Sequence, residues 1–421
     1  MQERLIIDNF FSIEHFDWEI KDFNILTGEM ASGKSLCLKL LHFIEQILHQ
    51  NIFLVSISKD SLNKNDFYDN LAKQFNTIFH SNNQNDVFHN TAISYLYSYS
   101  DAKFDLAAKW NDNNKKLEWN STYINNNIVE WQSFFGADNT PDAAKSARMQ
   151  IHERIKHDFS YSFPIGAEFI PASRAIAAIA NPSDIPDSFL ENFIKEDKLF
   201  VLNFDTVSDK YVNKILHLKK IIVKKENDNK KTIEAELLNG RKITPLELSS
   251  GQQELVYLLL LVRNLFRTTF TYGQTTSIFI EEPSAHLFPQ EQKESIEYIV
   301  KIFRELQEQK KNRVRFFIST HSPYILNVIN NMLKKGYLIE KLDEYKDEAR
   351  KNTISRKVNS LKFPHLMVAE ISAYFIQKKV VSMINSSENG AFLYEKMIED
   401  ITQNIEDDYR NVRDLINEIK G

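Results

Sequence analysis

The sequence has little cysteine, glycine or proline and no long apolar run. Its 421 residues contain one cysteine, Cys37, which excludes an internal disulfide and indicates a reducing compartment. With ten glycines and ten prolines, the chain does not have the composition of a flexible linker protein. No stretch reaches the roughly 18 consecutive apolar residues of a membrane-spanning helix, and the N-terminus lacks a secretory signal pattern. We therefore expect a cytoplasmic protein with no membrane partner.

The overall charge is small and slightly negative. A net charge of −5 excludes a generally basic surface that coats nucleic acid, although it leaves room for a local basic patch. Hydrophobic residues make up 43% of the chain and charged residues 26%, as in soluble globular proteins. At 421 residues the chain is long enough for one large domain or for two or three ordinary ones.

A phosphate-binding loop lies near the N-terminus. Residues 28–35 read G-x-x-x-x-G-K-S, between an apolar, strand-like run at Phe23–Leu26 and a helix-like run at Leu36–Leu48. In that context the backbone N–H groups of the loop and of the helix N-terminus surround β- and γ-phosphates. Lys34 would add a positive charge, and the Ser35 hydroxyl would supply one ligand of Mg²⁺. The pattern predicts a nucleotide site formed by consecutive residues: Gly28, Glu29, Met30, Ala31, Ser32, Gly33, Lys34, Ser35 and Leu36.

Three further motifs follow in the second half of the chain. Leu248–Glu254 reads L-S-S-G-Q-Q-E and opens an apolar helix, so its Ser-Ser-Gly turn is either an anion-binding arrangement or a helix cap. The strand-like run Ser277–Ile280 ends in Glu281 and Glu282, where one carboxylate can hold Mg²⁺ and the other can polarise a water. A last apolar strand ends in Ser-Thr-His, and His321 there can contact a γ-phosphate and hold the attacking water.

The rest of the chain predicts an antiparallel meander, helices and short strands. The meander consists of Ala92–Ser100, Phe104–Trp110 and Lys115–Tyr123. Helical patterns occupy Asp66–Phe79, Asp142–Asp158, residues 186–220 and Leu393–Ile419. Two strand pairs are expected, Ile221–Lys225 with Thr232–Leu238 and Ala373–Ile376 with Val380–Ile384. No heptad pattern extends over several heptads, so we expect no long coiled-coil arm.

The four motifs in this order resemble the ATPase heads of ABC type, and among them the SMC/RecF/OLD branch. The similarity covers residues 3–50 and 240–330, whereas the middle of the chain matches loosely. Transporter cassettes usually carry a double-glycine signature and an aspartate before the catalytic glutamate, where this chain has Ser249-Ser250-Gly251 and Glu281. The resemblance implies an α/β fold, with a mixed sheet core, an antiparallel β subdomain and a helical insert. We expect an N-terminal head part (1–140), a mainly helical insert (141–220), a C-terminal head part (221–335) and a helical and short-strand extension (336–421).

The resemblance also implies roles for the motif residues. Lys34, Glu282 and His321 would be catalytic, with Glu282 as the base and His321 as the switch histidine. Ser35 and Glu281 would hold Mg²⁺, and ATP would be the nucleotide. The signature of one subunit would close over the ATP of a second subunit, in a homodimer or a higher homo-oligomer. The signature residues are Ser249, Ser250, Gly251 and Gln252.

Other features of the family map onto further positions. Ser284–Leu287 corresponds to the D-loop, which follows the catalytic glutamate. The Q-loop glutamine corresponds to Gln132 or Gln150, by elimination. Arg174 ends an I-P-A-x-R stretch that is similar to one in OLD-like ATPases, and it is either a phosphate or interface sensor or an ordinary surface arginine.

The region after His321 does not resemble the nuclease domain of OLD proteins. Its acidic cluster, at residues 400–408, is interpreted as the solvated face of a helix. Stand-alone heads of this kind occur as ATPase subunits of two-component phage-defence systems such as the PARIS and Septu types. The resemblance thus implies an ATP-hydrolysing sensor and scaffold that controls a separate effector protein, such as a nuclease. The alternative is a RecF-like, DNA-binding repair ATPase, for which the basic runs Lys210–Lys231 and Lys310–Arg313 are the support.

Overall fold

The computed structural model describes residues 2–49, 64–79, 88–135, 141–159, 163–172, 210–225, 231–268, 275–308, 313–344, 346–377, 380–382, 384–387 and 390–393. Arg174, the acidic cluster at 400–408 and nearly all of the helix expected at Leu393–Ile419 lie outside these residues. Among the helices of the described ranges, none has the length and apolar character needed to cross a bilayer.

Strands and helices alternate along much of the chain. The helices are α1 (Lys34–His49), α2 (Lys64–Ile78), α3 (Thr122–Ser133), α4 (Pro141–Phe159), α5 (Lys210–Ile215), α6 (Ser250–Thr268), α7 (Pro289–Glu308), α8 (Pro323–Asp343) and α9 (Glu348–Ser360). The strands of the first half are β1 (Gln2–Phe10), β2 (Ile13–Glu19), β3 (Phe23–Thr27), β4 (Ala92–Tyr99), β5 (Ala102–Asn111), β6 (Lys116–Asn120) and β7 (Pro164–Ile170). Those of the second half are β8 (Leu218–Lys225), β9 (Lys231–Leu237), β10 (Lys242–Ile243), β11 (Thr275–Glu281), β12 (Arg313–Thr320), β13 (Ile371–Phe375), β14 (Val381–Ser382), β15 (Ile384–Ser387) and β16 (Gly390–Leu393).

A six-stranded sheet forms the centre of the protein, in the order β14-β13-β3-β12-β11-β7. All neighbouring pairs are parallel except β13 with β14. β3 and β11 are buried along their whole length, which is why they read as uninterrupted apolar runs in the sequence. The carboxyl ends of β3, β11 and β12 meet at one edge of the sheet, where ligands bind in open α/β proteins.

Side chains of the central strands alternate between two buried layers. On one face Phe279 and Phe317 stack with their ring centroids 4.5 Å apart. They belong to the same apolar cluster as α1 and the five-stranded antiparallel sheet β2-β1-β4-β5-β6. On the other face Ile278, Ile280 and Phe316 pack with α6, α7 and α8. The expected α/β fold with a mixed sheet core and an antiparallel β subdomain is therefore confirmed.

The predicted meander is confirmed as β4, β5 and β6, with two differences. β6 ends at Asn120 rather than Tyr123, because the Ser121 hydroxyl accepts the Ile124 N–H at 3.1 Å and begins α3. In addition, β1 pairs with β4, so that the N-terminal hairpin belongs to the same sheet.

Two further strands, β7 and β13, join the central sheet, although the sequence did not predict that they pair with its strands. β7 begins at Pro164, earlier than the strand predicted at Phe169, and pairs with β11 from within the range expected to be mainly helical. The predicted pair near the C-terminus is confirmed as β13 and β14, and β13 also pairs with β3. The boundaries of the four expected parts stay predictions.

Arg315 of β12 is the centre of a buried ionic cluster that joins both sheets to α1. Its guanidinium is 0% exposed and pairs with Glu3 of β1 and, at 2.6 Å, with Glu45 of α1. It also donates hydrogen bonds of 2.7 and 3.1 Å to the Ser277 hydroxyl of β11, while the Tyr95 hydroxyl donates to Glu3 at 2.8 Å. Burial raises the pKa of Glu45 to about 7, an effect that the charge of Arg315 opposes. Burial would lower the pKa of Arg315, but the two carboxylates raise it, so the guanidinium stays charged.

The substitution Arg315→Ala should lower the free energy of unfolding by about 3–5 kcal/mol, because it leaves two carboxylates buried without their cation. Denaturant unfolding measures this loss. Arg4→Ala is the matched control, since Arg4 forms an exposed ion pair with Asp17 in the antiparallel sheet that also contains Glu3. Its loss should change the free energy of unfolding little. Equal losses in the two variants would contradict the structural role of the buried cluster.

Candidate functional site

The phosphate loop begins directly after β3 and requires glycine at two positions. Gly28 and Gly33 have φ angles of +144° and +103°, which L side chains rarely adopt. A Cβ atom at Gly28 would lie 2.3 Å from the carbonyl oxygen of Ile376, the residue that follows β13. A Cβ at Gly33 would lie 2.9 Å from the Ser12 hydroxyl in the β1–β2 turn. The two glycines of the loop thus lie against backbone that follows β13 and against the turn between β1 and β2.

The Lys34 side chain is buried inside the loop. Its ammonium group donates to the carbonyl oxygens of Gly28 at 2.9 Å and of Glu29 at 2.7 Å. Burial lowers the pKa of Lys34, and the negative charge of Glu282 opposes that shift. The loop therefore holds the Lys34 ammonium group near the Glu282 carboxylate, and an anionic ligand there would further favour the charged form of Lys34.

Two buried hydroxyl groups lie at the same edge of the sheet. Within the described residues, the Ser32 hydroxyl of the phosphate loop and the Ser319 hydroxyl near the end of β12 have no hydrogen-bond partner. Buried polar groups without a partner are uncommon and call for an additional ligand. Together with the glycine backbone and Lys34, these hydroxyls fit a bound nucleotide.

Glu281 is the last residue of β11 and is buried. Its Oε2 accepts the Ala172 backbone N–H at 3.1 Å, and its backbone pairs with Ser319 of β12. No cluster of three or more His, Cys, Asp or Glu in the described ranges could enclose a metal ion by itself. A single buried carboxylate is compatible with Mg²⁺, which usually takes one or two protein ligands and completes its shell with phosphate oxygens and water.

Glu282 and His321 are paired directly. Glu282 Oε2 lies 2.8 Å from Nδ1 of His321 and also accepts the backbone N–H of His321 at 3.3 Å. Glu282 has a φ of +44°, a strained value for a residue other than glycine, and its N–H donates to the Ser319 carbonyl at 2.9 Å. The Glu282 side chain is 18% exposed and that of His321 is 56% exposed, so the pair faces an accessible edge.

The signature segment begins α6 with a reciprocal cap. Ser249 donates from its N–H and its hydroxyl to Gln252 Oε1 at 3.1 Å, and the Gln252 N–H donates back to the Ser249 hydroxyl at 3.3 Å. Gln252 also donates to the carbonyl of Leu216 at 2.7 Å. Gly251 packs against the D-loop, because a Cβ there would lie 2.9 Å from the His286 carbonyl. The segment is thus a capped helix start, with Ser249 and Ser250 exposed beside the D-loop.

The structure therefore brings the sequence-predicted residues together in two groups. The phosphate loop, Glu281, Glu282 and His321 share the carboxyl edge of the central sheet. The signature and Ser284–Leu287 form the second group. Gln132 and Gln150 lie on α3 and α4 rather than at a strand end.

Sequence reasoning missed two residues of the site. Gln292 donates to the Leu287 carbonyl at 2.8 Å, and Ser322 donates to Gln292 at 2.5 Å. Ser322 carries a signal that could have been used, because serine before proline is a typical start of a helix. Gln292 carries none, since its bond to Ser322 joins residues that are 30 positions apart.

The substitution Gly28→Ala should lower the free energy of unfolding by about 3 kcal/mol, since it combines backbone strain with overpacking against Ile376. Gly240→Ala is the control: its φ is +85°, but a Cβ there meets open space, so we expect a loss of about 1 kcal/mol. Thermal unfolding compares the two. A loss at Gly28 no larger than that at Gly240 would contradict the close approach of the two backbones.

The solved structures to which the chain is similar include SMC head domains. One is an SMC head bound to the C-terminal winged-helix domain of ScpA, with 12% identity, a TM-score of 0.45 and coverage of 94% of this chain and 99% of that one. Another is the SMC head domain of Thermotoga maritima, with 10% identity, a TM-score of 0.37 and coverage of 90% and 97%. A third is the head of Pyrococcus yayanosii Smc with a coiled coil and joint, with 9% identity, a TM-score of 0.44 and coverage of 95% and 99%.

Among curated proteins, none matches the chain. A family model does match, over residues 23–327, a span that runs from β3 into α8 and includes every motif of the site. The chain therefore belongs to the family described as "AAA domain, putative AbiEii toxin, Type IV TA system".

Proposed function

We propose that the protein binds and hydrolyses ATP and that its nucleotide state controls a separate effector protein in defence against phage. The observation that carries the ATPase part is the direct pairing of Glu282 with His321 at 2.8 Å, beside the buried ammonium group of Lys34. A carboxylate, an imidazole and an ammonium group at the end of a phosphate loop are the groups that hydrolysis of a γ-phosphate needs.

The phosphate loop would bind the nucleotide. Its backbone N–H groups and Lys34 face the phosphates, and the two carbonyl groups that now accept from Lys34 would be exchanged for phosphate oxygens. The Ser35 hydroxyl and the Glu281 carboxylate would hold Mg²⁺, which when bound neutralises charge on the β- and γ-phosphates. The binding residues are Gly28, Glu29, Met30, Ala31, Ser32, Gly33, Lys34, Ser35 and Leu36.

Turnover would use the side chains of Glu282 and His321, which directly follow β11 and β12. Glu282 orients a water and accepts its proton as the water attacks the γ-phosphorus. His321 holds Glu282 through Nδ1, and His321 and Lys34 together stabilise the charge on the phosphoryl oxygens.

A second copy of the chain would complete the site. The signature residues Ser249 to Gln252 and the D-loop lie side by side, so that both face the same neighbour. Large apolar side chains next to these loops are exposed, namely Phe288 at 80% and Leu246 at 60%, as is Met30 of the phosphate loop at 85%. Burial of such side chains favours association. When ATP lies between two copies, their affinity for each other depends on the nucleotide.

The effector is proposed to be a separate protein. No metal-binding acidic cluster of a nuclease occurs in the parts of the chain that the structure describes. The family description names a toxin, which agrees with control over a harmful activity. The family match does not favour the RecF-like alternative, in which DNA would be the partner.

Two substitutions should separate binding from turnover. Lys34→Ala should weaken ATP binding by about a hundredfold or more, because it removes the buried cation that faces the phosphates. Glu282→Gln should bind ATP as the original protein does, while its hydrolysis falls by about 10²–10⁴-fold for want of a base. Calorimetric titration with ATP and Mg²⁺ and a phosphate-release assay measure the two effects.

Lys115→Ala and Glu118→Gln serve as controls, since both side chains are exposed at the turn into β6 and in β6, the edge strand of the antiparallel sheet that lies farthest from β1 and β2. Both should bind and hydrolyse ATP normally. Undiminished turnover in Glu282→Gln would remove Glu282 from the role of base, and undiminished binding in Lys34→Ala would overturn the nucleotide site.

A further inference from the structure

Gln292, in the first turn of α7, connects two loops of the site through one side chain. Its Nε2 donates to the carbonyl of Leu287, at the end of the D-loop, at 2.8 Å. Its Oε1 accepts from the Ser322 hydroxyl, next to the switch histidine, at 2.5 Å. Its backbone N–H donates to the Phe288 carbonyl at 3.0 Å, as part of the first turn of the helix that carries this side chain.

The hydrogen bond between Gln292 and Ser322 connects α7 to the residues that precede α8. Ser322 is the N-cap of α8 and accepts the Ile325 N–H at 3.4 Å, so its hydroxyl is held between α7 and α8. His321 precedes it directly and holds Glu282 through Nδ1. A displacement of Gln292 Oε1 would therefore act on the backbone that orients the imidazole.

The other end of Gln292 lies next to the surface proposed to meet a second subunit. Leu287 follows His286, whose φ is +58° and whose carbonyl contacts Gly251 of the signature. Contacts therefore run without interruption from the signature through the D-loop to Gln292, and from there through Ser322 to the pair of His321 and Glu282.

We infer that Gln292 is a positioning residue that couples the D-loop to the switch histidine, so that association of two subunits raises turnover in each. This inference rests on the proposed function. A primary amide suits the role because it donates at one end and accepts at the other. A carboxylate at the same place could accept from Ser322 but could not donate to the Leu287 carbonyl.

The first test compares Gln292→Leu and Gln292→Glu with Gln290→Leu, in which a neighbouring exposed glutamine bonded to Glu294 is replaced. ATP turnover per subunit is measured against protein concentration, together with the KM for ATP and the thermal unfolding temperature. We expect turnover in the original protein and in Gln290→Leu to rise with concentration. In both Gln292 variants the rise should be lost, with turnover at least tenfold lower at high concentration and KM within about twofold of the original.

Gln292→Glu separates coupling from stability, because it keeps the bond to Ser322. If Gln292 only stabilised the fold, turnover in each variant would follow its unfolding temperature, and Gln292→Glu would keep the rise of turnover with concentration. That outcome, or concentration-dependent turnover retained in Gln292→Leu, would overturn the inference.

The second test needs no nucleotide. Ser322→Ala should speed amide hydrogen exchange in the segment 284–292 of the original protein, because Gln292 loses its partner. The same substitution should have no effect on that segment in the Gln292→Leu background. Equal effects in both backgrounds would overturn the inference. This test does not depend on ATP hydrolysis, so a protein that failed to hydrolyse ATP would count against the proposed function alone.

Discussion

One buried cation, the guanidinium of Arg315, sets the spacing between the elements that carry the candidate site. It joins β12 to β1 through Glu3, to α1 through Glu45 and to β11 through Ser277. The phosphate loop leads into α1, while the paired carboxylate and imidazole follow β11 and β12. A buried charge that loses its partner costs several kcal/mol of folding free energy. Removal of one member of the cluster therefore destabilises the contacts of the others. The interaction that joins the two sheets therefore also connects the strands and the helix that carry the candidate site.

The edge of the central sheet carries an inner group and an outer group of loops. The inner group consists of ionisable side chains that lie together in one chain: Lys34, Glu282 and His321. The outer group, the signature and the D-loop, is polar, partly exposed and bordered by apolar side chains. In the function that we propose, ATP links the two groups across an interface, and the strained backbone at the end of β11 holds the base in place before the nucleotide arrives.

Much of this arrangement could be predicted because its signals are local. The strand, turn and helix around the phosphate loop are consecutive in sequence, and fully buried parallel strands leave uninterrupted apolar runs. The pairing of β13 with β3 could not be predicted, since it joins residues that are more than 340 positions apart. Arg315 looks like an ordinary charge in a strand, and its role depends on tertiary partners in β1, α1 and β11. Gln292 is hidden for the same reason: both of its partners belong to loops that only the fold brings together.

The central claim is that ATP controls association of the chain with a second copy. The most direct measurement is the solution mass of the Glu282→Gln protein by light scattering, with and without ATP and Mg²⁺. The account predicts a mass near the 49.2 kDa of one chain without nucleotide and about twice that value with it. A mass that does not respond to ATP would contradict the account, because the signature and the D-loop would then close on no second site.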